Sequence, residues 1–226
     1  MAITLEDIRA NEKINEMVNQ ANRVLEVIGY TDHGPRHVGY VSRIAGEILS
    51  KLNAPERRVE LAKIAGWVHD VGNLVNRKNH GLNGAVLLFP ILCDIGLPIS
   101  EVCEICAAVG SHEEETGKPV GDISAALILA DKVDAHRARV RVKTYSPDDI
   151  HDRVNYAIKT TRLTVQDGTI TIDYTMDDTS SPMDFMSIYL TRMQMCELSA
   201  KFLSCNFGLY INGVKLNRWN VKNSEV

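Results

Sequence analysis

The first part of the chain, from Thr4 to about Asp134, carries apolar residues mostly three or four positions apart. The first run with this spacing consists of Ile8, Ile14, Met17, Val18, Ala21, Leu25 and Ile28. Such spacing gives a helix one apolar face, so it predicts amphipathic helices that pack on one another. Residues that break helices recur at 29–35, 53–55, 72–73, 96–98 and 117–119. Five or six helices that can pack antiparallel are therefore expected.

After about Ser146 the pattern becomes typical of strands. Apolar and polar residues alternate around the turn pair Asp167-Gly168, at Leu163, Val165, Ile170, Ile172 and Tyr174. This alternation predicts a hairpin, and a second hairpin is predicted over 209–216 around Asn212-Gly213. Between them, Pro182 to Leu203 is predicted as an amphipathic helix capped by Ser181.

The predicted fold class is therefore mainly α, with two parts. A helical bundle is expected over residues 1–145, and a small α+β appendage of ββαββ order over residues 146–226. The appendage is a candidate surface for pairing two copies of the chain into a homodimer, and it could equally form a lid.

Composition excludes several classes of protein. The chain has 226 residues, of which 45% are hydrophobic and 24% charged, as in globular domains rather than disordered or collagen-like chains. The formal net charge of −4 argues against a protein that binds nucleic acid stably or attaches to an anionic membrane.

The location is predicted to be cytoplasmic. The first residues carry acids where a signal peptide needs cations and an apolar run, and the most apolar stretch, 85–99, is interrupted by Pro90, Asp94 and Pro98. The five cysteines form no dense framework, which fits a reducing compartment.

Four of the seven histidines and two aspartates form the main chemical pattern. Each lies near a predicted helix end or on a helix with an apolar side: His37, His69, Asp70, His80, His112 and Asp131. Imidazole and carboxylate suit iron, manganese, nickel or zinc, and the absence of thiolate from the set disfavours a structural zinc site. A single buried histidine is more often a hydrogen-bonded core residue than a ligand. The six together are hard to explain in that way, so we favour a metal site.

The His69-Asp70 doublet limits the geometry of such a site. Adjacent helical residues point about 100° apart, so both side chains reach one site only if they face a shared cavity. A carboxylate there can bridge two ions, and six ligands leave positions for water and substrate, as two-metal hydrolysis requires.

Over Asp32 to Arg137 the chain resembles the HD superfamily of metal-dependent phosphohydrolases. Their pattern is a first His, a His-Asp doublet and a distant Asp on a later helix. Residues 80–85 and 130–137 are similar to segments of the HD-type diadenosine polyphosphate hydrolases, and 111–119 resembles the HD-GYP cyclic-dinucleotide phosphodiesterases. Asn73 stands where HD-GYP enzymes carry lysine, and their Gly-Tyr-Pro signature is missing, which argues against cyclic dinucleotides as substrates.

The resemblance implies an active site with two divalent transition-metal ions: Fe, Mn, Ni or Zn. One ion would be held by His37, His69, Asp70 and Asp131, and its neighbour by Asp70, His80 and His112. Asp70 would bridge, and His69 and Asp70 would be catalytic. A hydroxide formed between the ions would attack a small phosphate substrate, a nucleotide or another phosphoester or phosphoanhydride.

Three cations are candidate phosphate ligands, because guanidinium and ammonium groups bind phosphate oxygens. Arg137 lies six residues beyond Asp131, on the same predicted helix; Arg36 adjoins His37; and Lys118 follows His112.

Two other functions use the same residues. HD-type mixed-valent di-iron oxygenases resemble the chain in their six-ligand set, and a nucleotide-sensing module would bind without turnover. We prefer the phosphohydrolase, since binding alone does not require a pair of ions that generates hydroxide.

Overall fold

The computed structural model describes residues 2–114, 117–143 and 145–217. Within them the part before residue 134 is helical, with α1 (Leu5–Ala10), α2 (Glu12–Val27), α3 (Pro35–Lys51), α4 (Glu56–Val68), α5 (His80–Ile95), α6 (Ile99–Gly110) and α7 (Asp122–Val133). A 3₁₀ turn, Val71–Leu74, lies between α4 and α5. The mainly α fold class is confirmed.

These seven helices exceed the five or six expected, because the first predicted helix is two helices. Asn11 ends α1, and its side chain accepts a hydrogen bond from the backbone N–H of Ile14 and so caps α2. The apolar spacing continues across this break. Periodicity alone therefore does not reveal the change of direction.

Helices α3 and α4 approach each other at a glycine. A Cβ atom on Gly66 would lie 2.6 Å from the Cα of Ser42, so no other residue fits there without displacing backbone. The Ser42 hydroxyl donates to the carbonyl of Lys63 at 2.7 Å across the same contact. This contact packs together the helix that carries His37 and the helix that ends just before His69.

The C-terminal part contains α8 (Ile150–Ala157), β1 (Ile158–Gln166), β2 (Thr169–Met176), α9 (Pro182–Phe202), β3 (Asn206–Ile211) and β4 (Val214–Lys215). The four strands lie in the order β1-β2-β3-β4, with antiparallel outer pairs and a parallel β2–β3 pair. Both predicted hairpins and the helix capped by Ser181 are present. The sequence analysis missed α8, and β1 begins at Ile158, before the first alternating residue, Leu163.

One hydrophobic core runs through both parts of the chain. The Tyr174 hydroxyl in β2 donates to the carbonyl of Lys132 in α7 at 3.2 Å, and Tyr174 is fully buried. The ring of Phe185 stacks on that of Tyr189, with centroids 4.6 Å apart. The appendage therefore packs directly on the helical bundle, and α9 lies against α7.

The division at residue 145 and the homodimer stay predictions. Residues 218–226 of the predicted appendage lie outside the described residues. None of the helices in the described ranges combines the length and the apolar character that a membrane span requires.

Candidate metal centre

The six predicted ligands come together at the ends of five helices. Their positions are the first turn of α3 (His37), the two residues after α4 (His69 and Asp70), the first residue of α5 (His80), the segment after α6 (His112) and the last turn of α7 (Asp131). Five of them are buried, and the Asp131 side chain is 12% exposed.

The two side chains of the doublet face one cavity because the helix ends there. His69 still has α-helical angles, and Asp70, at φ −94° and ψ 1°, is the residue immediately before the 3₁₀ turn. The 3₁₀ turn contacts the start of α5 at Gly72. A glycine is required there, since a Cβ on Gly72 would lie 1.9 Å from the carbonyl oxygen of His80. The start of α5 therefore lies directly against the doublet.

Asp70 faces two sets of histidines with its two oxygens. Its Oδ2 lies 3.4 Å from Nε2 of His37 and 3.3 Å from Nε2 of His69. Its Oδ1 lies 3.5 Å from Nε2 of His80. Asn73, a buried residue, donates from Nδ2 to Oδ1 at 2.8 Å and holds the carboxylate in this orientation.

The other ligand-type atoms close the cluster. Asp131 Oδ1 lies 3.3 Å from Nε2 of His37 and 3.6 Å from Nε2 of His69. On the far side of Asp70, the Nε2 atoms of His80 and His112 are 3.0 Å apart.

All four histidines present Nε2 to the centre, because Nδ1 is engaged elsewhere. Since carbonyl oxygens only accept hydrogen bonds, an Nδ1 beside one carries the hydrogen. The Nδ1 partners are Asp134 Oδ2 at 2.7 Å for His37, and backbone carbonyls for the others: Gly66 at 2.9 Å for His69, Arg77 at 3.0 Å for His80 and Val109 at 2.6 Å for His112. Such partners fix the ring orientation that a metal-binding histidine needs.

Three buried atoms that lack hydrogen-bond partners in the described part of the chain show that these residues fit a divalent ion. His37 Nε2, His69 Nε2 and Asp70 Oδ2 are buried atoms with no hydrogen-bond partner among the described residues. Leaving such atoms unsatisfied is costly, and an ion would satisfy all three. Ligand-type atoms within 4.8 Å of one another form three overlapping groups: His37-His69-Asp70, His69-His112-Asp131 and Asp70-His80-His112.

The charges in the cluster move the pKa values of its members apart. Burial lowers the pKa of His69, but the Asp70 and Asp131 carboxylates outweigh it and raise that pKa to about 10. Burial, with His80 and His69 nearby, holds the pKa of His112 well below its usual range. Burial raises the pKa of Asp134, whereas the hydrogen bond from His37 and the charges of Arg139 and Arg36 bring it below the ordinary value. Asp134 is thus ionised beside His37.

The cluster forms part of the wall of a cavity of about 720 Å³. Among the described residues, five cations line it: Arg77, Lys78, Lys132, Arg139 and Arg192. Sequence reasoning assigned none of them to the site individually. Lys132 could have been noticed beside Asp131, but nothing in the sequence connects Arg192 of α9 with the histidines.

The three predicted phosphate ligands are not among the described residues that line this cavity. Arg36 pairs with Asp134 and Arg137 with Asp177, each at 2.7 Å, and Lys118 is exposed. The expectation that Arg137 shares a helix with Asp131 is wrong, because α7 ends at Val133 and Arg137 begins a separate 3₁₀ turn. Their role in phosphate binding stays a prediction.

The protein is thus a helical protein with a buried His/Asp site that could hold metal ions. Four histidines and two aspartates at the ends of its helices form that site. Residues 36–139 match the family model described as the HD domain. That part of the chain is similar to HD domains, and the predicted resemblance to the HD superfamily is confirmed.

Two known proteins are similar to this chain. Uncharacterized protein MJ1020 of Methanocaldococcus jannaschii is 26% identical over 161 residues, which span 61% of this chain and 61% of that protein. The chain thus matches less than two thirds of this relative. A solved structure, described as a predicted HD superfamily hydrolase from an uncultured Thermotogales bacterium, is 24% identical, covers 58% of this chain and 74% of its own, and has a TM-score of 0.42.

Proposed function

We propose that the protein is a phosphohydrolase that holds two divalent transition-metal ions and cleaves a phosphoester or phosphoanhydride bond of a small molecule, such as a nucleotide. The orientation of Asp70 carries this proposal. One of its oxygens faces His37 and His69, and the other faces His80. A carboxylate placed in this way is suited to bridge two ions.

One ion would be held by His37, His69, Asp70 and Asp131, and the other by Asp70, His80 and His112. Two ions in such a site activate a water as the nucleophile and neutralise charge on the phosphoryl oxygens. Fe, Mn, Ni and Zn all suit ligands of this type.

The chain's own residues supply orientation and shelter from water. Asp134 fixes the ring of His37 and Asn73 fixes the carboxylate of Asp70. Glu113 Oε1 lies 3.1 Å from Nδ1 of His80, on the side of that ring away from Asp70. Because the ligands are preorganised and mostly buried, charge in the site is poorly screened by solvent. The cavity has room for a small molecule beside the cluster.

The first test combines metal analysis with a screen for phosphate release. Protein purified without added metal would be analysed for bound metals and assayed on mononucleotides, dinucleoside polyphosphates and cyclic dinucleotides with Mn²⁺, Fe²⁺ or Ni²⁺. We expect two ions per chain at saturation. Asp70→Asn should lower phosphate release by about 100-fold or more, because it weakens both ion sites. Asp94→Asn, an exposed position on α5, is the matched control.

Two results would contradict the proposal. A protein that takes up no transition metal would remove its basis. Oxygen-dependent turnover with bound iron, without phosphate release from any substrate, would instead favour the oxygenase.

A further inference from the structure

A row of charged groups leads from the metal centre to the C-terminal part of the chain. Asp131 Oδ2 lies 2.7 Å from Lys132 Nζ, on the side of the carboxylate away from the histidines. Lys132 Nζ lies 3.4 Å from Glu114 Oε1, and the same oxygen lies 2.6 Å from Nε of Arg192 in α9. All four residues line the cavity.

Arg192 has donors left over after this ion pair. Its contact with Glu114 uses Nε, and within the described residues neither terminal nitrogen forms a hydrogen bond. The side chain is 24% exposed, at the cavity wall. A guanidinium with both terminal nitrogens free can bind an oxyanion through two parallel hydrogen bonds.

The position of the guanidinium is well supported. Its central carbon lies 4.6 Å from the ring centroid of Tyr189, one turn earlier on α9. Tyr189 is itself held by a hydrogen bond of 2.8 Å from its hydroxyl to Oδ1 of Asn155 in α8. Both contacts come from the C-terminal part of the chain, so that part aims Arg192 at the cavity.

The charges of the row depend on whether the metal centre is loaded. Without ions, the two positive charges of Lys132 and Arg192 are matched by the carboxylates of Asp131 and Glu114. An ion held by His37, His69, Asp70 and Asp131, as proposed above, would offset the charge of Asp131. Lys132 and Arg192 would then exceed Glu114 by one positive charge beside the centre.

We propose that Arg192 and Lys132 form an anion subsite that binds the phosphoryl oxygens of the substrate next to the metal centre. The C-terminal part of the chain then supplies a substrate-binding residue and completes the active site. The identity of the anion as phosphoryl rests on the proposed function.

A purely structural role for Arg192 makes a different prediction. If the ion pair only joins α9 to the segment after α6, Glu114→Gln and Arg192→Gln both break that contact and should change phosphate affinity in the same direction. If Arg192 binds an anion, Arg192→Gln removes a ligand, whereas Glu114→Gln removes a competing negative charge. The two variants then change anion affinity in opposite directions.

The test measures binding of inorganic phosphate to the full-length, Mn²⁺-loaded protein by titration calorimetry. We expect Arg192→Gln to weaken phosphate binding roughly 10- to 100-fold, as for the loss of charged hydrogen bonds. Arg192→Lys should fall in between, because it keeps the charge and loses the fork. Glu114→Gln should bind phosphate at least as tightly as the wild type. Arg162→Gln, at an exposed position on β1, should leave binding unchanged.

Metal content and thermal unfolding of each variant separate binding from folding. If Arg192→Gln does not fold, the phosphate affinities of Arg192→Lys and Glu114→Gln are compared instead. The inference then requires weaker binding in Arg192→Lys and no loss of binding in Glu114→Gln. Equal losses in Arg192→Gln and Glu114→Gln, unchanged binding in Arg192→Gln, or no phosphate binding by the wild type would overturn the inference. Failure of the proposed function shows itself separately, as an absence of phosphate release from every substrate by the metal-loaded wild type.

Discussion

His37 illustrates how one residue is prepared as a ligand. Its ring is fully buried, and its Nδ1 donates to Asp134, a carboxylate that also pairs with Arg36. The Arg139 guanidinium donates to the Asp134 backbone carbonyl at 2.8 Å. Two arginines and a histidine therefore hold Asp134 ionised in a buried position. The free Nε2 of His37 is directed at Asp70 and Asp131 as a result.

Asp134→Asn is expected to weaken metal binding by about 10- to 100-fold, the usual cost of losing a partner that orients a ligand. The amide can still accept a hydrogen bond from His37, but it no longer offsets the charges of Arg36 and Arg139 near the ions. Isothermal titration with Mn²⁺ measures the effect, with Asp94→Asn as control. An affinity equal to that of the wild type would show that Asp134 does not prepare His37.

Asn73 has a different meaning in the sequence and in the structure. In the sequence it marked a departure from the HD-GYP pattern. In the structure its amide holds Oδ1 of Asp70, so the departure is itself part of the site. No local sequence signal distinguishes these two interpretations, because the contact depends on how the 3₁₀ turn folds back.

Among the elements, α4 and α7 are joined outside the cluster by a charged pair. Arg58 in α4 donates from Nε to Asp122 Oδ2 at 3.0 Å, and Asp122 is the first residue of α7. The hydrogen bond from Arg58 lowers the pKa of Asp122 below its ordinary value of 3.8. A carboxylate at the start of a helix also interacts favourably with the helix dipole.

This shift sets a pH dependence of stability. A group whose pKa is lower in the folded state stabilises the fold above its unfolded pKa, and the effect is lost as pH falls through the folded pKa. Asp122→Asn should therefore reduce the free energy of unfolding at pH 7 by about 1 kcal/mol or less, since the pair is partly exposed. The difference from wild type should shrink as pH falls below about 4.

Urea unfolding at a series of pH values measures this difference. In the Arg58→Gln background the same substitution should have a smaller effect, because the partner is gone. A difference that stays constant down to pH 2 would contradict the assignment to the Asp122 carboxylate.

Elements could be predicted where the signal was local. The Asp167-Gly168 and Asn212-Gly213 turns define the two hairpins, and Ser181 begins α9. The break at Asn11 and the short helix α8 were missed. The apolar spacing continues across Asn11, so the break leaves no signal. Helix α8 has only eight residues, too few for a clear helical periodicity.

For the whole molecule, the continuous core means that the two predicted parts depend on each other. Phe185 in α9 is fully buried between Tyr174 of β2 and Tyr189. Phe185→Ala should lower the free energy of unfolding by about 3–5 kcal/mol, the usual cost of removing a large aromatic ring from a core.

Because the core is shared, the helical bundle should lose stability together with the appendage. The chain has two tryptophans, and Trp219→Phe would leave Trp67 as the single one. Its fluorescence then reports on α4 in the bundle. The fluorescence and far-ultraviolet circular dichroism transitions should shift together. Two separate transitions, with the Trp67 signal unmoved, would instead support independent domains.

The sequence by itself determined the fold class, the HD resemblance and the set of candidate ligands, because helical periodicity, turn pairs and the His-Asp doublet are properties of short segments. The tertiary structure alone decided that Asp70 turns one oxygen to each set of histidines, and that the cavity is lined by Lys132 and Arg192 instead of Arg36, Arg137 and Lys118. The physical reason is distance along the chain. Which cations lie beside the cluster depends on how α9 packs on α7, and side chains far apart in sequence meet only through that packing.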